Sequence, residues 1–281
     1  MDRNERISIF NETKRCSDQW KYTNNHGDEV TLYKDDYGMN YKDAKLYDFN
    51  TVALIKDIEL PSYENTEIEV LNMDCLYAAQ QLVDDGYSPA VLNMASFKYP
   101  GGGVTKGSAA QEESLCRRTN LYNSIVRFNN PKLKHRYPLD MNYGAIYSPV
   151  VSIFRKSESD GCLFMDAPVT VDVISAAAIK NPTLINGHLD KNAKKILKNK
   201  VRTILNLGIY YKNDALVLGA FGCGAYGTPP EDMANIFKDV LSEAAYAHSF
   251  KKIVFAIIDD GNAHREHNPE GNFVPFKRVF G

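Results

Sequence analysis

A chain of 281 residues that is 44% hydrophobic and 24% charged has the make-up of a globular protein with a substantial core, which sets aside disordered and fibrous classes. Its formal net charge of -2 excludes a global basic field for bulk nucleic-acid binding. No apolar run approaches the length of a membrane span and the start, MDRNERISIF, lacks the apolar stretch of a leader, so a cytoplasmic location is expected. The five cysteines are scattered with no CxxC pair, which argues against both a disulfide framework and a zinc site.

Residues 1–66 are polar, with one apolar cluster at Ile7, Ile9 and Phe10, and are expected to form a partly helical extension packed on a core domain at 67–281. From Glu67 the texture changes. EIEVLNMD predicts a strand and CLYAAQQLVDDG a helix ending at Gly86. The short apolar run Pro89–Ala95 predicts a strand covered on both faces. A glycine-rich loop follows, then a helix expected from about Gln111 to Arg127. Ala145–Arg155 and Val169–Ala178 predict two further strands joined by a polar turn at Ser159-Asp160-Gly161. Ile196, Leu197, Val201, Ile204 and Leu205 mark an amphipathic helix over 192–211. A buried strand at Ala215–Phe221 runs into a second glycine-rich loop, a helix over 231–248 carries Met233, Ile236, Phe237, Val240 and Leu241 on one face, and Lys252–Ile258 is the last strand. This alternation predicts a three-layer α/β/α domain around a mixed sheet, with ligands gathering beyond the carboxyl ends of the central strands.

The chemistry concentrates at Gly101-Gly102-Gly103-Val104-Thr105-Lys106-Gly107, followed by Gln111-Glu112-Glu113. Three consecutive glycines let a ligand approach backbone N–H groups and permit left-handed dihedrals at little cost. Gly222-Cys223-Gly224-Ala225-Tyr226-Gly227 also follows a buried strand, so the two loops are placed to meet at one crevice, where paired backbone loops suit a pyrophosphate. Either loop alone reads as a tight turn, and Glu112 and Glu113 alone as favourable charge at a helix N-terminus. Neither loop carries the Walker spacing or an early Gly-x-Gly-x-x-Gly, which disfavours a kinase or a dinucleotide dehydrogenase.

The Gly-Gly-Gly run, the seven intervening residues and Gln-Glu-Glu resemble the signature of poly(ADP-ribose) glycohydrolases, whose catalytic domain is a macrodomain; VLNMASFKYPGGGVTKGSAAQEESLCRRTNLY is similar to the microbial-type branch. LVLGAFGCGAYGTPPED resembles that family's second diphosphate loop, and the resemblance runs from about Val70 through Phe280. It implies that Asp74 hydrogen-bonds the adenine amine and Asn93 holds the distal ribose. It places Gly102, Gly103 and Val104 in the first diphosphate loop and Gly222, Cys223, Gly224 and Ala225 in the second, with Gly101 and Gln111 as further substrate-binding residues. Tyr226 stands where the family usually has Phe. Glu112 would position ribose hydroxyls and Glu113 would be the catalytic acid. Phe273 or Phe276 would supply an aromatic for adenine, although core packing is an equal account of each. Asp74 also reads as a helix N-cap and Asn93 as a satisfied core amide.

Two adjacent glutamates cannot flank one glycosidic bond as the paired carboxyls of ordinary glycosidases do. One is therefore expected to transfer protons while the other orients substrate, with the substrate's own diphosphate stabilising positive charge at the anomeric carbon. The resemblance implies hydrolysis of ribose–ribose bonds in poly(ADP-ribose) by a monomer without metal or cofactor. The alternatives are removal of ADP-ribose from a DNA base and a reader that binds ADP-ribose without cutting. His264 and His267 have the spacing of a metal pair but no convincing partners, so a solvated loop is expected there, and Asp259 and Asp260 receive no firm role.

Overall fold

A computed structural model describes residues 1–33 and 40–281. The chain opens with helix α1 (Arg3–Gln19), whose N-cap Asp2 forms a capping box with Glu5. A small hairpin, β1 (Lys21–Thr23) and β2 (Glu29–Thr31), follows. Next come β3 (Lys45–Tyr47), the short helix α2 (Val52–Ile55), β4 (Glu67–Leu71), α3 (Cys75–Asp84), β5 (Pro89–Met94), α4 (Gln111–Arg118) and α5 (Leu121–Ile125). The second half holds the long pair β6 (Ala145–Arg155) and β7 (Phe164–Ala176), the minor hairpin β8 (Leu184–Ile185) and β9 (His188–Leu189), α6 (Lys191–Tyr210), β10 (Ala215–Leu218), α7 (Pro230–Leu241), β11 (Lys252–Ala256) and α8 (Phe273–Phe280).

Seven strands form one sheet in the order β3-β6-β7-β5-β10-β11-β4. β3, β6 and β7 pair antiparallel, and β7, β5, β10, β11 and β4 pair parallel, so the sheet is mixed as expected. Strand alternation supplies two cores. Leu216 and Leu218 of β10 face a cluster with α6 and α7, while Ala215 and Val217 face the opposite cluster with α3 and α4. The nearly all-apolar central strands are the consequence of helices covering both faces.

Two expectations are corrected. The predicted helix over 111–127 is two helices. Thr119 is extended, bridges to Ile153 of β6, and uses its hydroxyl to accept from Leu121 N and donate to the Leu115 carbonyl, which ends α4. The helix predicted over 231–248 stops at Leu241, and residues beyond it form successive turns. The first 66 residues are partly helical and also contribute β3, an edge strand of the main sheet, while Phe10 and Tyr41 enter the core beside α3 and α4.

Helix α1 lies against the glycine loop and α4. Arg6 donates to both oxygens of Glu158, and Glu158 is also 3.6 Å from Arg117 of α4. Arg117 donates to the carbonyl of Ser108, and Thr13 donates to the carbonyl of Arg117. Gly107, at φ +71, has Arg3's carbonyl oxygen 2.4 Å from where a Cβ would stand, so no other residue fits that contact.

Candidate active site

The carboxyl ends of the five parallel strands β4, β11, β10, β5 and β7 open into one cavity of about 770 Å³. Its walls come from the segments that follow each of these strands. Asp74 follows β4, Ser96, Phe97, Lys98, Tyr99, Gly102 and Gly103 follow β5, and Lys180 lies beyond β7. Gly222 to Tyr226 follow β10, while Asp260 and Asn262 follow β11.

Helix α4 starts inside this cavity. Its three opening residues behave differently. Gln111 accepts from Met94 N at 2.9 Å and donates to Leu92 O at 2.7 Å, so its side chain clamps the helix to the end of β5. Glu112 accepts from Ser96 N at 2.7 Å on one oxygen and Gly101 N at 3.0 Å on the other. Glu113 accepts from Gly103 N at 2.7 Å on Oε1, and its buried Oε2 has no hydrogen-bond partner among the described residues. Both glutamates line the cavity and are 3% and 7% exposed respectively.

The glycines make this convergence possible. Gly101 and Gly102 have φ of +72 and +55, the region where a side chain is strained. A Cβ on Gly102 would stand 2.5 Å from Glu113 Oε1 and 2.9 Å from Glu112 Oε2. The two carboxylates therefore crowd one point. Burial pushes Glu112 up to about 8, its two N–H donors act in the opposite direction, and the negative charge of Glu113 raises it further. Near neutral pH Glu112 therefore retains its proton.

The expected division of labour between the loops changes. In the first loop, Gly101 N and Gly103 N serve the glutamates, while Gly102 N and Val104 N bond to the carbonyls of Tyr99 and Gly101. Its amides are engaged internally and do not present a row of donors to an anion. In the second loop, the N–H groups of Gly222, Gly224, Ala225 and Tyr226 have no acceptor among the described residues, and all four residues line the cavity. Of the two loops, that one has the free N–H groups an anion would need.

Cys223 does not share in it. Its N–H bonds to Ala220 O, its side chain is fully buried in the core, and its carbonyl accepts from His267 Nε2 at 2.8 Å and Asn268 Nδ2 at 3.1 Å. Asn268 also donates to Asn262 O and Asn272 Oδ1, and Asp259 accepts from Asn272 N and Phe273 N. The segment expected to be a solvated loop is thus the brace behind the second loop. Among the described residues, no three His, Cys, Asp or Glu side chains group to hold a metal.

Asp74 is both cap and site residue. Its Oδ1 accepts from Leu76 N and Tyr77 N, its Oδ2 pairs with the buried Arg118 at 2.7 Å, and it lines the cavity. Asn93 is not in the wall. It is fully buried, donates to Ser175 Oγ at 3.0 Å, and lies behind Glu112, favouring that group's charged form. Gly101 and Val104 are also outside the wall, the first against the Tyr122 ring and the second in the core beside α4. Phe276 packs between Phe237 and Phe255 in the opposite core, and Phe273 packs on the same cluster, so neither reaches the cavity.

Tyr226 joins the two loops. Its hydroxyl accepts from Phe97 N at 3.1 Å, and its carbonyl accepts from Asn181 N. Burial raises its phenol above the ordinary value, so it stays protonated. Sequence reasoning passed over Ser96, Phe97, Lys98 and Tyr99, although the exposed aromatic pair around a lysine was a signal. Arg118, 1% exposed and paired with Asp74, was recognisable only as helix charge.

Residues 11–156 match the family model described as microbial-type PARG, catalytic domain. The structure is similar to that of poly(ADP-ribose) glycohydrolase from Thermomonospora curvata, at 27% identity and a TM-score of 0.81 over 99% of this chain and 100% of that one. A structure of the same Thermomonospora protein bound to the inhibitor ADP-HPD matches with a TM-score of 0.80 at the same identity and coverage. The glycohydrolase from Deinococcus radiodurans in complex with ADP-ribose matches at 28% identity and a TM-score of 0.68, over 85% of this chain and 94% of that one. No curated protein sequence matches.

Proposed function

Because this chain belongs to the microbial-type poly(ADP-ribose) glycohydrolase family, we propose that it hydrolyses the ribose–ribose O-glycosidic bonds of poly(ADP-ribose) and releases ADP-ribose, with Glu113 as its single proton-transferring carboxylate. The observation that carries this assignment is the asymmetry of the pair. Both oxygens of Glu112 are held by backbone N–H groups, while Oε2 of Glu113 is buried at the cavity wall without a partner among the described residues. A buried carboxylate oxygen left unpaired costs stability and is kept where substrate satisfies it.

The substrate lies with its adenine toward Asp74, its diphosphate over the N–H groups of Gly222, Gly224, Ala225 and Tyr226, and its distal ribose at the glutamates. Glu113 gives its proton to the departing 2'-oxygen of the neighbouring ribose as the bond to the anomeric carbon breaks. The diphosphate stabilises the oxocarbenium-like charge. A water then adds to the anomeric carbon and returns a proton to Glu113. Glu112 holds the turn at Ser96 and Gly101 against Glu113, and its remaining lone pairs accept from ribose hydroxyls.

The test is Glu113→Gln in parallel incubations with poly(ADP-ribose), mono-ADP-ribosylated protein and ADP-ribosylated DNA. The expected result is ADP-ribose released from the polymer by wild type, no release by the variant, and unchanged ADP-ribose affinity. Turnover by Glu113→Gln at the wild-type rate refutes the assignment. Release from the DNA substrate alone moves the activity to that class.

A further inference from the structure

The segment Phe97-Lys98-Tyr99 combines two properties that seldom coincide on a protein surface. Its side chains are exposed, with Phe97 at 38% and Tyr99 at 54%, and all three line the mouth of the cavity. Its backbone is nonetheless held at five points. Phe97 N donates to Tyr226 Oη, and Lys98 N and Tyr99 N both donate to Ser96 Oγ at 3.3 Å. Phe97 O accepts from Leu139 N at 2.8 Å and Tyr99 O from Gly102 N at 3.1 Å. Ser96 N is itself held by Glu112. Two aromatic rings in water on an immobilised backbone form a platform that pays little ordering entropy when a flat ring stacks on it.

The position of the platform identifies its guest. It starts one residue after the Ser96–Glu112 bond and ends at the turn that packs Gly102 on both glutamates, so it borders the scissile end of the cavity and not the Asp74 end. Lys98 Nζ lies 5.1 Å from the Tyr99 ring centroid, and Lys180 lines the same cavity. Neither lysine has a carboxylate partner among the described residues. Aromatic faces interleaved with free cations, beside the bond to be cut, fit a base and a phosphate on the far side of that bond.

We propose that Phe97, Lys98 and Tyr99 form a leaving-group subsite that binds the next nucleotide unit of the polymer, its adenine stacked on the aromatic pair and its diphosphate facing Lys98 and Lys180. The inference rests on the glycohydrolase reading of the cavity and extends it from the unit that is released to the unit that is left behind. It makes the chain a reader of at least two consecutive units.

The experiment compares two substrates that share everything on the cavity side. One is a defined short ADP-ribose polymer; the other is the methyl glycoside of ADP-ribose, which has the same anomeric bond and no further nucleotide. Tyr99→Ala is expected to lower kcat/KM on the polymer by roughly 10-fold, the scale of one base–aromatic stack. The methyl glycoside is expected to react as with wild type, and Tyr99→Phe to restore polymer cleavage. Equal losses on both substrates, or none on the polymer, overturn the subsite. A binding arm separates this from failure of the glycohydrolase reading. In the Glu113→Gln background, a two-unit oligomer should bind roughly 10-fold more tightly than ADP-ribose, and Tyr99→Ala should remove that difference. Loss of the difference on Tyr99→Ala supports the subsite even in a protein that cuts nothing, whereas equal affinity for one and two units removes it.

Discussion

Gly102→Ala tests the geometry of the glutamate pair without touching either glutamate. The alanine has to adopt φ +55, a left-handed conformation that costs about 1 kcal/mol for a residue with a Cβ. The new methyl would stand 2.5 Å from Glu113 Oε1 and 2.9 Å from Glu112 Oε2, so a carboxylate or the loop has to retreat by on the order of 1 Å to reach ordinary contact. The first bond at risk is Gly103 N to Glu113 Oε1, and a hydrogen bond to a carboxylate is worth about 1.5–3 kcal/mol. The stability loss is therefore expected to be roughly 2–4 kcal/mol, read as a lower urea midpoint. A displacement of this size at the acid is expected to lower kcat by on the order of 100-fold. ADP-ribose affinity should fall much less if, as proposed, the second loop carries the diphosphate. Gly27→Ala is the control, since Gly27 has φ +90 with nothing near its absent Cβ and therefore isolates backbone strain. If Gly102→Ala matches Gly27→Ala in stability and the wild type in kcat, the pair is not arranged around the bare Cα of residue 102.

Two further outcomes follow from the same site. Burial lifts Glu112 to about 8, above the unfolded carboxyl, so its proton is secure at low pH and is lost as pH rises through about 8. The kcat/KM for polymer should fall on that alkaline limb, and Glu112→Gln should abolish the limb; an unchanged limb in that variant assigns it elsewhere. Tyr226→Phe removes the acceptor for Phe97 N and should weaken polymer cleavage by about 1 kcal/mol, roughly 5-fold, with little change in ADP-ribose affinity measured by calorimetry. A variant indistinguishable from wild type on polymer would show that the hydroxyl does not hold the Phe97 turn.

The central strands were readable because burial on both faces leaves an apolar run, and Ala145–Arg155 was placed to the residue. What escaped depended on distant partners. Lys45–Tyr47 is three residues long and becomes a strand only because Ala145–Tyr147 lie beside it. Thr119 reads as helical until its bridge to Ile153 is known. In the site, the glycine spacing and Gln111-Glu112-Glu113 located the chemistry, but not that the glutamates fold back onto the first loop's own amides. The brace from His267 and Asn268 to the carbonyl of Cys223 spans 44 and 45 residues, and no local pattern encodes it. Phe276 and Phe273 illustrate the reverse error, in which residue type suggested a ligand contact that core packing had already claimed.

The clasp between Arg6 and Glu158 sets the order in which the site can be finished. Its two ends are 152 residues apart, so the clasp that fixes α1 over the glycine loop and α4 closes only once the β6–β7 hairpin exists. Closing so long a loop is entropically uphill before its contacts reward it. The segment that seats Arg3 on Gly107 and lies beside Arg117 and Ser108 therefore backs the glycine loop through a long-range contact that is not part of the cavity wall. Loosening that clasp is expected to cost polymer cleavage before it costs ADP-ribose binding.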